Sequence, residues 1–402
     1  MQNLINRPLY LEKLKGFLNT DLIKIITGVR RSGKSTLFIL FQQYLENEKA
    51  VNSEQIININ LEDAAYKDID NWQALHDYVV SKLLPEQQNY VFIDEIQNIP
   101  EFERAINSLN LKKNVDLYIT GSNARMLSSE IATLISGRYI EVRMLPLSFK
   151  EYMSVTRDKT NLPEKFKNFL DCGSFPGAMQ FNGDKTRIDD YIKGIYSTII
   201  LKDIVARKRI HDVYRLENVI SFMFNIIGSQ TSINNIYKTM KADGREVQTA
   251  TIEGYLSALL ESFILYKVGR FDIKGKQLLK TNDKYYLVDI GFRNIVLGRR
   301  DDDGGHILEN MVYLELLRRG YEVYIGKVGN KEIDFIVRKN GIVEYYQVSQ
   351  SVLDPNTLKR EIAPLNSVKD HNPKFLLTMD YTNVNVNGIK QINVLDWLLE
   401  GE

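Results

Sequence analysis

Residues 28–35 read Gly-Val-Arg-Arg-Ser-Gly-Lys-Ser, which matches the G-x-x-x-x-G-K-[ST] pattern of a phosphate-binding loop at every fixed position. The loop follows the apolar run 22–26 and precedes a second apolar stretch that begins at Leu37. Gly28 and Gly33 let the backbone curl so that its N–H groups face phosphate oxygens, while the following helix directs its positive end at the same anion. The sequence therefore predicts a site for a nucleoside triphosphate.

The predicted cofactors at this loop are ATP and Mg²⁺. Lys34 is expected to reach the β- and γ-phosphates, and the hydroxyl of Ser35 to ligate Mg²⁺. The predicted nucleotide-binding residues are Gly28, Arg30, Arg31, Ser32, Gly33, Lys34, Ser35 and Thr36.

The segment around the loop has the pattern of an α/β domain. Short apolar runs alternate with longer amphipathic segments, which predicts a five-stranded parallel sheet wrapped by helices. The runs are 22–27, 56–61, 90–93, 115–120 and 140–145. Ligands of such sheets bind outside the carboxyl ends of the strands, so the catalytic residues are expected there.

Two carboxylates, Asp94 and Glu95, end the third apolar run. An Asp at the tip of a buried strand beside a phosphate loop can hold Mg²⁺ through its water shell, and a following Glu can polarise the attacking water. The predicted metal ligands are therefore Ser35 and Asp94, with Glu95 as the catalytic residue beside Lys34.

Small polar residues, Thr120-Gly121-Ser122-Asn123, end the fourth run. They can hydrogen-bond the γ-phosphate or the water, and Ser122 or Asn123 can equally cap the next helix. We place Asn123 in the predicted catalytic set, although the sequence does not separate it from Ser122. Arg138 precedes the fifth run and is predicted to stabilise the charge of phosphoryl transfer, in cis or across a subunit boundary. The alternative is a surface arginine after a helix that ends at Gly137.

Composition sets wider bounds. The chain of 402 residues is long enough for several domains, and its formal net charge of +1 gives no global attraction to nucleic acid or membrane. Cys172 is the single cysteine, which excludes an internal disulfide and favours a small packed residue. No apolar run approaches the length of a membrane-spanning helix, so we predict no membrane association and a cytoplasmic location.

Later segments carry a resemblance to a known family. They are 91–100 (Val-Phe-Ile-Asp-Glu-Ile-Gln-Asn-Ile-Pro), 119–124 (Ile-Thr-Gly-Ser-Asn-Ala), 136–139 (Ser-Gly-Arg-Tyr), 145–152 (Leu-Pro-Leu-Ser-Phe-Lys-Glu-Tyr), 173–177, 201–204 and 284–291. With the phosphate loop, they make the chain resemble prokaryotic AAA-type ATPases of the archaeal ATPase clade. The resemblance implies an AAA domain, a winged helix and a nuclease-like C-terminal domain.

The same resemblance implies roles for individual residues. Lys34 and Ser35 take the Walker A positions, and Asp94 and Glu95 the Walker B positions. Ser122 or Asn123 takes the position of the first sensor, and Arg138 that of an arginine finger.

The predicted domains are an AAA-type P-loop ATPase domain (1–155), a helical lid (156–205), a winged helix (206–300) and a nuclease-like domain (301–402). The winged helix is predicted from a helix that Thr231 or Ser232 caps, a turn at 242–244, a second helix through Leu260, and two strands that flank Lys274. Basic residues gather on those strands and their turn: Arg270, Lys274, Lys276, Lys280 and Lys284. They favour contacts to DNA phosphates, whereas the second helix offers few cations and leaves packing or dimerisation open.

The charged segment 299–305 marks the boundary of the last domain, whose order of helix, Asp-bearing strand and third strand resembles a restriction-endonuclease-like, PD-(D/E)xK core. Glu309 and Asp334 match its first two metal-binding places, but Gln347-Val348-Ser349 replaces the Glu-x-Lys pair. Loss of a carboxylate and of the lysine weakens both Mg²⁺ binding and chemistry, so we predict an inactive fold that docks nucleic acid or protein.

Three functions remain open at this point. The first is an ATP-hydrolysing switch that acts on double-stranded DNA. The second is an ATP-dependent signalling or assembly protein with a protein partner, and the third is a nuclease gated by ATP. A homo-oligomer is possible in each case.

Overall fold

The computed structural model describes residues 4–124, 137–156, 158–245, 247–275, 277–300, 304–381 and 385–400. Ser136, Lys276 and residues 301–303, which the sequence predictions cite, lie outside the described residues, as does the side chain of Lys280. The chain divides into two compact units. Unit 1 comprises Met1–Pro146 with Glu261–Phe263, and unit 2 comprises Leu147–Leu260 with Ile264–Glu402. The predicted boundaries at 155, 205 and 300 stay predictions.

Unit 1 is built on one parallel sheet. Its strands are β1 (Ile23–Thr27), β2 (Ile56–Asn60), β3 (Asn89–Asp94), β4 (Val115–Gly121) and β5 (Tyr139–Arg143). Its described helices are α1 (Pro8–Lys15), α2 (Lys34–Lys49), α3 (Trp72–Lys82) and α4 (Phe102–Asn110). The strand order is β2-β3-β4-β1-β5, and every neighbouring pair is parallel. The prediction of a five-stranded parallel sheet in an α/β fold is confirmed.

Strands β1, β3 and β4 are buried along their whole length because apolar clusters cover both faces of the sheet. This explains why the sequence shows continuous apolar runs rather than alternation. Lys24 lies inside β1 and is fully buried, and its ammonium forms a 2.5 Å ion pair with Asp116 of β4. Tyr118 donates a second hydrogen bond to the same carboxylate, at 2.9 Å. The buried charge of Lys24 is therefore compensated by the carboxylate of Asp116 on the neighbouring strand.

Unit 2 contains the remaining elements. Its described helices are α5 (Phe149–Val155), α6 (Leu162–Cys172), α7 (Lys185–Thr198), α8 (Val213–Asn225), α9 (Ile233–Ala242), α10 (Thr249–Glu261), α11 (Ile290–Leu297), α12 (Gly304–Arg318), α13 (Pro355–Asn366) and α14 (Val394–Leu399). A π-helical stretch, Ile199–Ala206, continues α7. Across the part of the chain that the structure describes, every helix is too short or too polar to cross a membrane.

Helices α9 and α10 and the hairpin after them match the predicted winged-helix elements, and Ser232 caps α9 through a hydrogen bond from Asn235 N. The hairpin belongs to a larger sheet than predicted. The strands are β6 (Leu265–Asp272), β7 (Gln277–Leu287), β8 (Glu322–Val328), β9 (Lys331–Lys339), β10 (Ile342–Ser349), β11 (Lys374–Thr378), β12 (Asn385–Val386) and β13 (Ile389–Asn393).

These eight strands form one sheet in the order β12-β13-β11-β10-β9-β8-β6-β7. The hairpin joins it because residues 270–272 of β6 pair in parallel with residues 325–327 of β8. The sheet continues beyond β11, because β13 lies beside it in parallel. The pattern at 389–393 mixes lysine, glutamine and asparagine with two isoleucines, which hides the strand in the sequence.

Candidate functional site

Two glycines shape the phosphate loop between β1 and α2. Gly28 adopts φ 149°, and a Cβ on it would lie 2.1 Å from the carbonyl oxygen of Met144. Gly33 adopts φ 104° at the N-cap of α2. Side chains are disfavoured at both places by backbone conformation, and at Gly28 also by close approach of another chain segment. Both glycines predicted from the motif are therefore required by the backbone.

Lys34 is folded back onto the loop. Its buried ammonium donates hydrogen bonds to the carbonyl oxygens of Gly28, at 3.0 Å, and Val29, at 3.2 Å. It also lies 3.9 Å from a carboxylate oxygen of Glu95. Ser32 Oγ is buried and has no hydrogen-bond partner among the described residues. An ammonium and an unsatisfied hydroxyl in one loop fit a phosphate group, which would accept from both.

The predicted magnesium ligands meet at the carboxyl edge of the sheet. The Asp94 side chain is hydrogen-bonded to the side chain of Ser35, and the Thr120 hydroxyl donates to Asp94 Oδ1. Burial raises the pKa of Asp94, while the hydrogen bonds from Ser35 and Thr120 oppose that rise. A hydroxyl and a carboxylate side by side are hard oxygen donors of the kind that Mg²⁺ prefers. The residues present therefore fit Mg²⁺.

Glu95 follows at the tip of β3 with φ 56°, in the left-handed region. Its backbone N–H donates to the Thr120 hydroxyl at 3.0 Å, which helps to hold this uncommon conformation. Its Oε2 accepts a hydrogen bond from Ser122 Oγ at 3.1 Å and another from Gln97 Nε2. The sequence predicted Ser122 as a candidate for contact with the γ-phosphate or the water but gave Gln97 no role. The contact of Gln97 with the Glu95 carboxylate depends on the turn after β3, which the sequence does not show.

Arg7 braces the loop from the N-terminal side, a role that the sequence did not reveal. Its guanidinium is buried and donates to the carbonyl oxygens of Ser32, at 3.0 Å, and Leu145, at 2.6 Å. Arg30 of the loop forms a 2.8 Å ion pair with Glu62. Arg7 and Glu62 lie far from the motif in sequence, and no spacing rule connects them to it.

The remaining predicted nucleotide and catalytic residues lie in different surroundings. Arg31 is exposed with φ 67°, Thr36 is half-buried in the first turn of α2, and Asn123 is buried just after β4. Arg138 is exposed, and its carbonyl oxygen accepts a hydrogen bond from Ile23 N.

The bond from Ile23 places Arg138 at the amino edge of the sheet, because Ile23 begins β1 and Tyr139 is its partner in β5. The phosphate loop lies at the other end of β1. Five residues of strand separate the two edges by about 16 Å. The structure therefore does not bring Arg138 to the other predicted catalytic residues within unit 1.

In unit 2, Lys284 was predicted to favour contacts to DNA phosphates, but its position does not suit that role. Its side chain is buried, and its ammonium forms ion pairs with Glu309 at 2.7 Å and Glu332 at 2.8 Å. Lys274, at the turn, is exposed. The exposed positions of α10 are small or acidic: Thr249, Ala250, Glu253, Gly254 and Ser257. The described surface of this helix and hairpin is therefore less cationic than the sequence indicated.

The structure gathers the two predicted nuclease-like residues. Glu309 lies in the middle of α12 and Asp334 in β9, and both are buried. Burial raises the pKa of Asp334 well above its ordinary value, and the nearby charge of Glu309 raises it further. Gln347 accepts a 3.4 Å hydrogen bond from Asp334 N, so the amide does occupy the third place beside them.

Two family models match segments of this chain. Residues 20–153 match the family model of an AAA domain, and residues 163–303 match a domain of unknown function (DUF8612). The part at 20–153 is thus an AAA-type P-loop domain.

Two relatives match nearly the whole chain. An uncharacterised protein of Haemophilus influenzae is 38% identical over 402 residues, which cover 99% of this chain and 99% of the relative. An uncharacterised protein of Methanocaldococcus jannaschii is 27% identical over 396 residues, covering 93% and 85% respectively. Among solved structures, a Walker-type ATPase of Pyrococcus abyssi is 15% identical with a TM-score of 0.49, covering 74% of this chain and 97% of that one.

Proposed function

We propose that this chain, which belongs to the family of AAA-domain proteins that includes its Haemophilus influenzae relative, is a Mg²⁺-dependent ATPase. One observation carries the proposal: Lys34, Ser35, Asp94 and Glu95 converge at the carboxyl edge of the sheet. A P-loop lysine, a metal-ligating pair and a general base are the parts that phosphoryl transfer needs.

Each residue has a distinct task in this mechanism. The loop N–H groups and Lys34 would bind the phosphates, and Ser35 with Asp94 would hold Mg²⁺, which would supply neutralising charge for phosphoryl transfer. Lys34 must leave the carbonyl oxygens of Gly28 and Val29 to do so. Glu95 orients the attacking water and accepts its proton. The hydrogen bond from Ser122 to Glu95 favours Ser122 over Asn123 as the residue that senses the γ-phosphate.

Glu95→Gln tests this assignment. The variant keeps the shape of the side chain but loses its basicity, so we expect ATP binding within about twofold of wild type and kcat lower by about 10² or more. Binding is measured by titration of a fluorescent ATP analogue, and turnover by phosphate release. Glu54→Gln, which removes an exposed carboxylate in the same unit, is the matched control and should leave both values unchanged. Undiminished turnover in Glu95→Gln would remove Glu95 from its role.

We further propose that ATP turnover operates a switch whose output lies in unit 2. Of the outputs that the sequence left open, a protein partner is favoured over DNA. Lys284 is withdrawn into ion pairs, and the exposed face of α10 holds Glu253 with no cation in its described side chains. Phosphate contacts dominate affinity for DNA, so a surface with few free cations binds it weakly.

The two outputs separate experimentally. If the partner is a protein, double-stranded DNA should leave the ATPase rate unchanged. The material that co-purifies with Glu95→Gln in the presence of ATP should then be protein. Stimulation by DNA that fades steeply as salt rises would instead establish the DNA-acting switch.

A further inference from the structure

Lys284 brings a buried positive charge to an acidic cluster in unit 2. It lies in β7 with its side chain only 4% exposed, 2.7 Å from Glu309 Oε1 and 2.8 Å from Glu332 Oε1. Burial alone would lower the pKa of Lys284, but Glu309, Asp334 and Glu332 together raise it above its ordinary value. The side chain is therefore a charged ammonium at neutral pH.

Protein donors also reach the carboxylates. The Tyr286 hydroxyl donates to Glu309 Oε1 at 2.5 Å, and Val348 N donates to Asp334 Oδ2 at 2.8 Å. Gln230 Nε2 donates to Glu332. Each carboxylate of the cluster thus has at least one fixed hydrogen bond from the protein, as buried charges require.

The neutral side chain in the cluster also has partners of its own. Gln347 Oε1 accepts from Asp334 N at 3.4 Å, and its Nε2 donates to Glu361 at 3.0 Å. Glutamine in place of a carboxylate removes one negative charge that a divalent cation would need. The positive charge in contact with Glu309 and Glu332 comes from Lys284.

We propose that the ammonium of Lys284 takes the place of a divalent cation in this cluster, so that unit 2 holds a closed, metal-independent ion-pair core. A cation between Glu309 and Glu332 would have to displace the ammonium, which is already in contact with both. With Lys284 in place, no group of three or more His, Cys, Asp or Glu side chains within the described residues is arranged to hold a metal ion. The proposal concerns unit 2 alone and is independent of ATP hydrolysis.

This arrangement also fixes the hairpin. Lys284 lies on β7, at one end of the sheet order, whereas Glu309 lies on α12 and Glu332 on β9. One ammonium therefore joins the hairpin to a helix and to a strand three positions away in the strand order. In this proposal, the nuclease-like carboxylates hold the hairpin in place through Lys284 instead of binding a metal ion.

A gain of metal binding tests the proposal. In Lys284→Met the side chain keeps its length but loses its charge, which leaves the carboxylates without a cation. Mn²⁺ alone is titrated into the nucleotide-free, full-length chain, and free Mn²⁺ is followed by electron paramagnetic resonance. We expect Lys284→Met to gain one Mn²⁺ site per chain relative to wild type, bound at least about tenfold more tightly than any wild-type binding at the cluster. Adding Asp334→Asn should abolish the gained site.

Lys267→Met is the matched control, because Lys267 lies on the neighbouring strand and pairs at 2.9 Å with the single carboxylate of Asp283. It should gain no Mn²⁺. If Lys284→Met does not fold, Lys284→Met/Glu332→Gln removes the ammonium with one of its partners and should recover a folded chain that binds Mn²⁺ through the carboxylates that remain.

Two results would overturn the proposal. One is a folded Lys284→Met chain that binds no more Mn²⁺ than wild type. The other is wild-type Mn²⁺ binding that Glu309→Gln abolishes, which would make Lys284 a companion of a bound metal rather than its substitute. Circular dichroism of each variant establishes folding before the titration.

Discussion

The carboxylate of Asp289 accepts two hydrogen bonds from Ser174, one from the backbone N–H and one from the hydroxyl, each at 2.5 Å. Asp289 is fully buried, and it joins the segment after α6 to the start of α11 across 115 positions of sequence. Both residues lie in segments by which the chain resembles its family. The two hydrogen bonds between Ser174 and Asp289 therefore give these two segments a structural role.

Loss of this carboxylate should destabilise unit 2. Asp289→Ala leaves the buried N–H and hydroxyl of Ser174 without an acceptor, at a cost of about 3 kcal/mol in the free energy of unfolding. Trp397 is buried in unit 2, so its fluorescence in a Trp72→Phe background reports that unit during urea unfolding. Asp190→Ala, at an exposed position of α7, should leave the transition where it is. An equal transition for Asp289→Ala would show that the contact is dispensable.

The glycines beside this contact show where sequence reasoning reaches its limit. A Cβ on Gly173 would lie 2.7 Å from Asp289 Oδ1, and a Cβ on Gly291 would lie 2.5 Å from the same atom. Both glycines lie in segments that carry the family resemblance, but the sequence of neither segment shows which distant residue it contacts. Close approach of backbone to a side chain depends on which distant segments the fold brings together. That pairing cannot be predicted from a single sequence.

The phosphate loop and the parallel sheet could be predicted because their signals are local. Gly28, Gly33, Lys34 and Ser35 stand at fixed spacing, and each buried strand appears as one apolar run. Lys284 could not be assigned in this way. A lysine on an amphipathic hairpin is ordinarily exposed, and only the pairing of β6 with β8 turns its side chain toward Glu309 and Glu332.

Cys172 should react slowly in the native chain. Burial raises the pKa of its thiol above the ordinary value of 9.0, so less of the reactive thiolate is present at any given pH. Iodoacetamide labelling followed by mass spectrometry should therefore be at least about tenfold slower in native protein than in urea, where the thiol is exposed. Equal rates in the two conditions would contradict the burial of Cys172.

The pH dependence of stability follows with a defined sign. Because the folded-state pKa of Cys172 is the raised one, its contribution to stability is fully present below pH 9 and declines as the pH rises toward the folded-state value. Cys172→Ala should remove that alkaline decline. The urea midpoint of unfolding is measured against pH for wild type and Cys172→Ala. If both show the same slope, the alkaline loss of stability comes from other groups.

Gln97 should restrain Glu95 before ATP is bound. Its Nε2 and the Ser122 hydroxyl both donate to Glu95 Oε2, and that oxygen must be available to accept a proton from water. We expect Gln97→Ala to raise kcat by about threefold with an unchanged KM for ATP, which is the signature of a change in the chemical step. Asn98→Ala, an exposed neighbour in the same turn, should leave both constants unchanged. A fall in kcat would show instead that Gln97 orients Glu95 productively.

Arg138 should act in catalysis across a subunit boundary. Its place at the amino edge of the sheet, about 16 Å from the loop edge, is beyond the reach of one arginine side chain within the same unit. We expect Arg138→Ala to leave ATP binding unchanged and to lower kcat by about 10³, as loss of an arginine finger does.

Mixing two inactive variants tests whether Arg138 acts on a neighbouring subunit. Arg138→Ala is titrated into a Lys34→Ala chain, and the mixed assemblies restore turnover only when one chain supplies the arginine and its neighbour the phosphate loop. Turnover of Arg138→Ala at the wild-type rate, at every protein concentration, would assign Arg138 to the surface. Arg104→Ala, which removes another exposed arginine of unit 1, provides the control and should retain wild-type turnover.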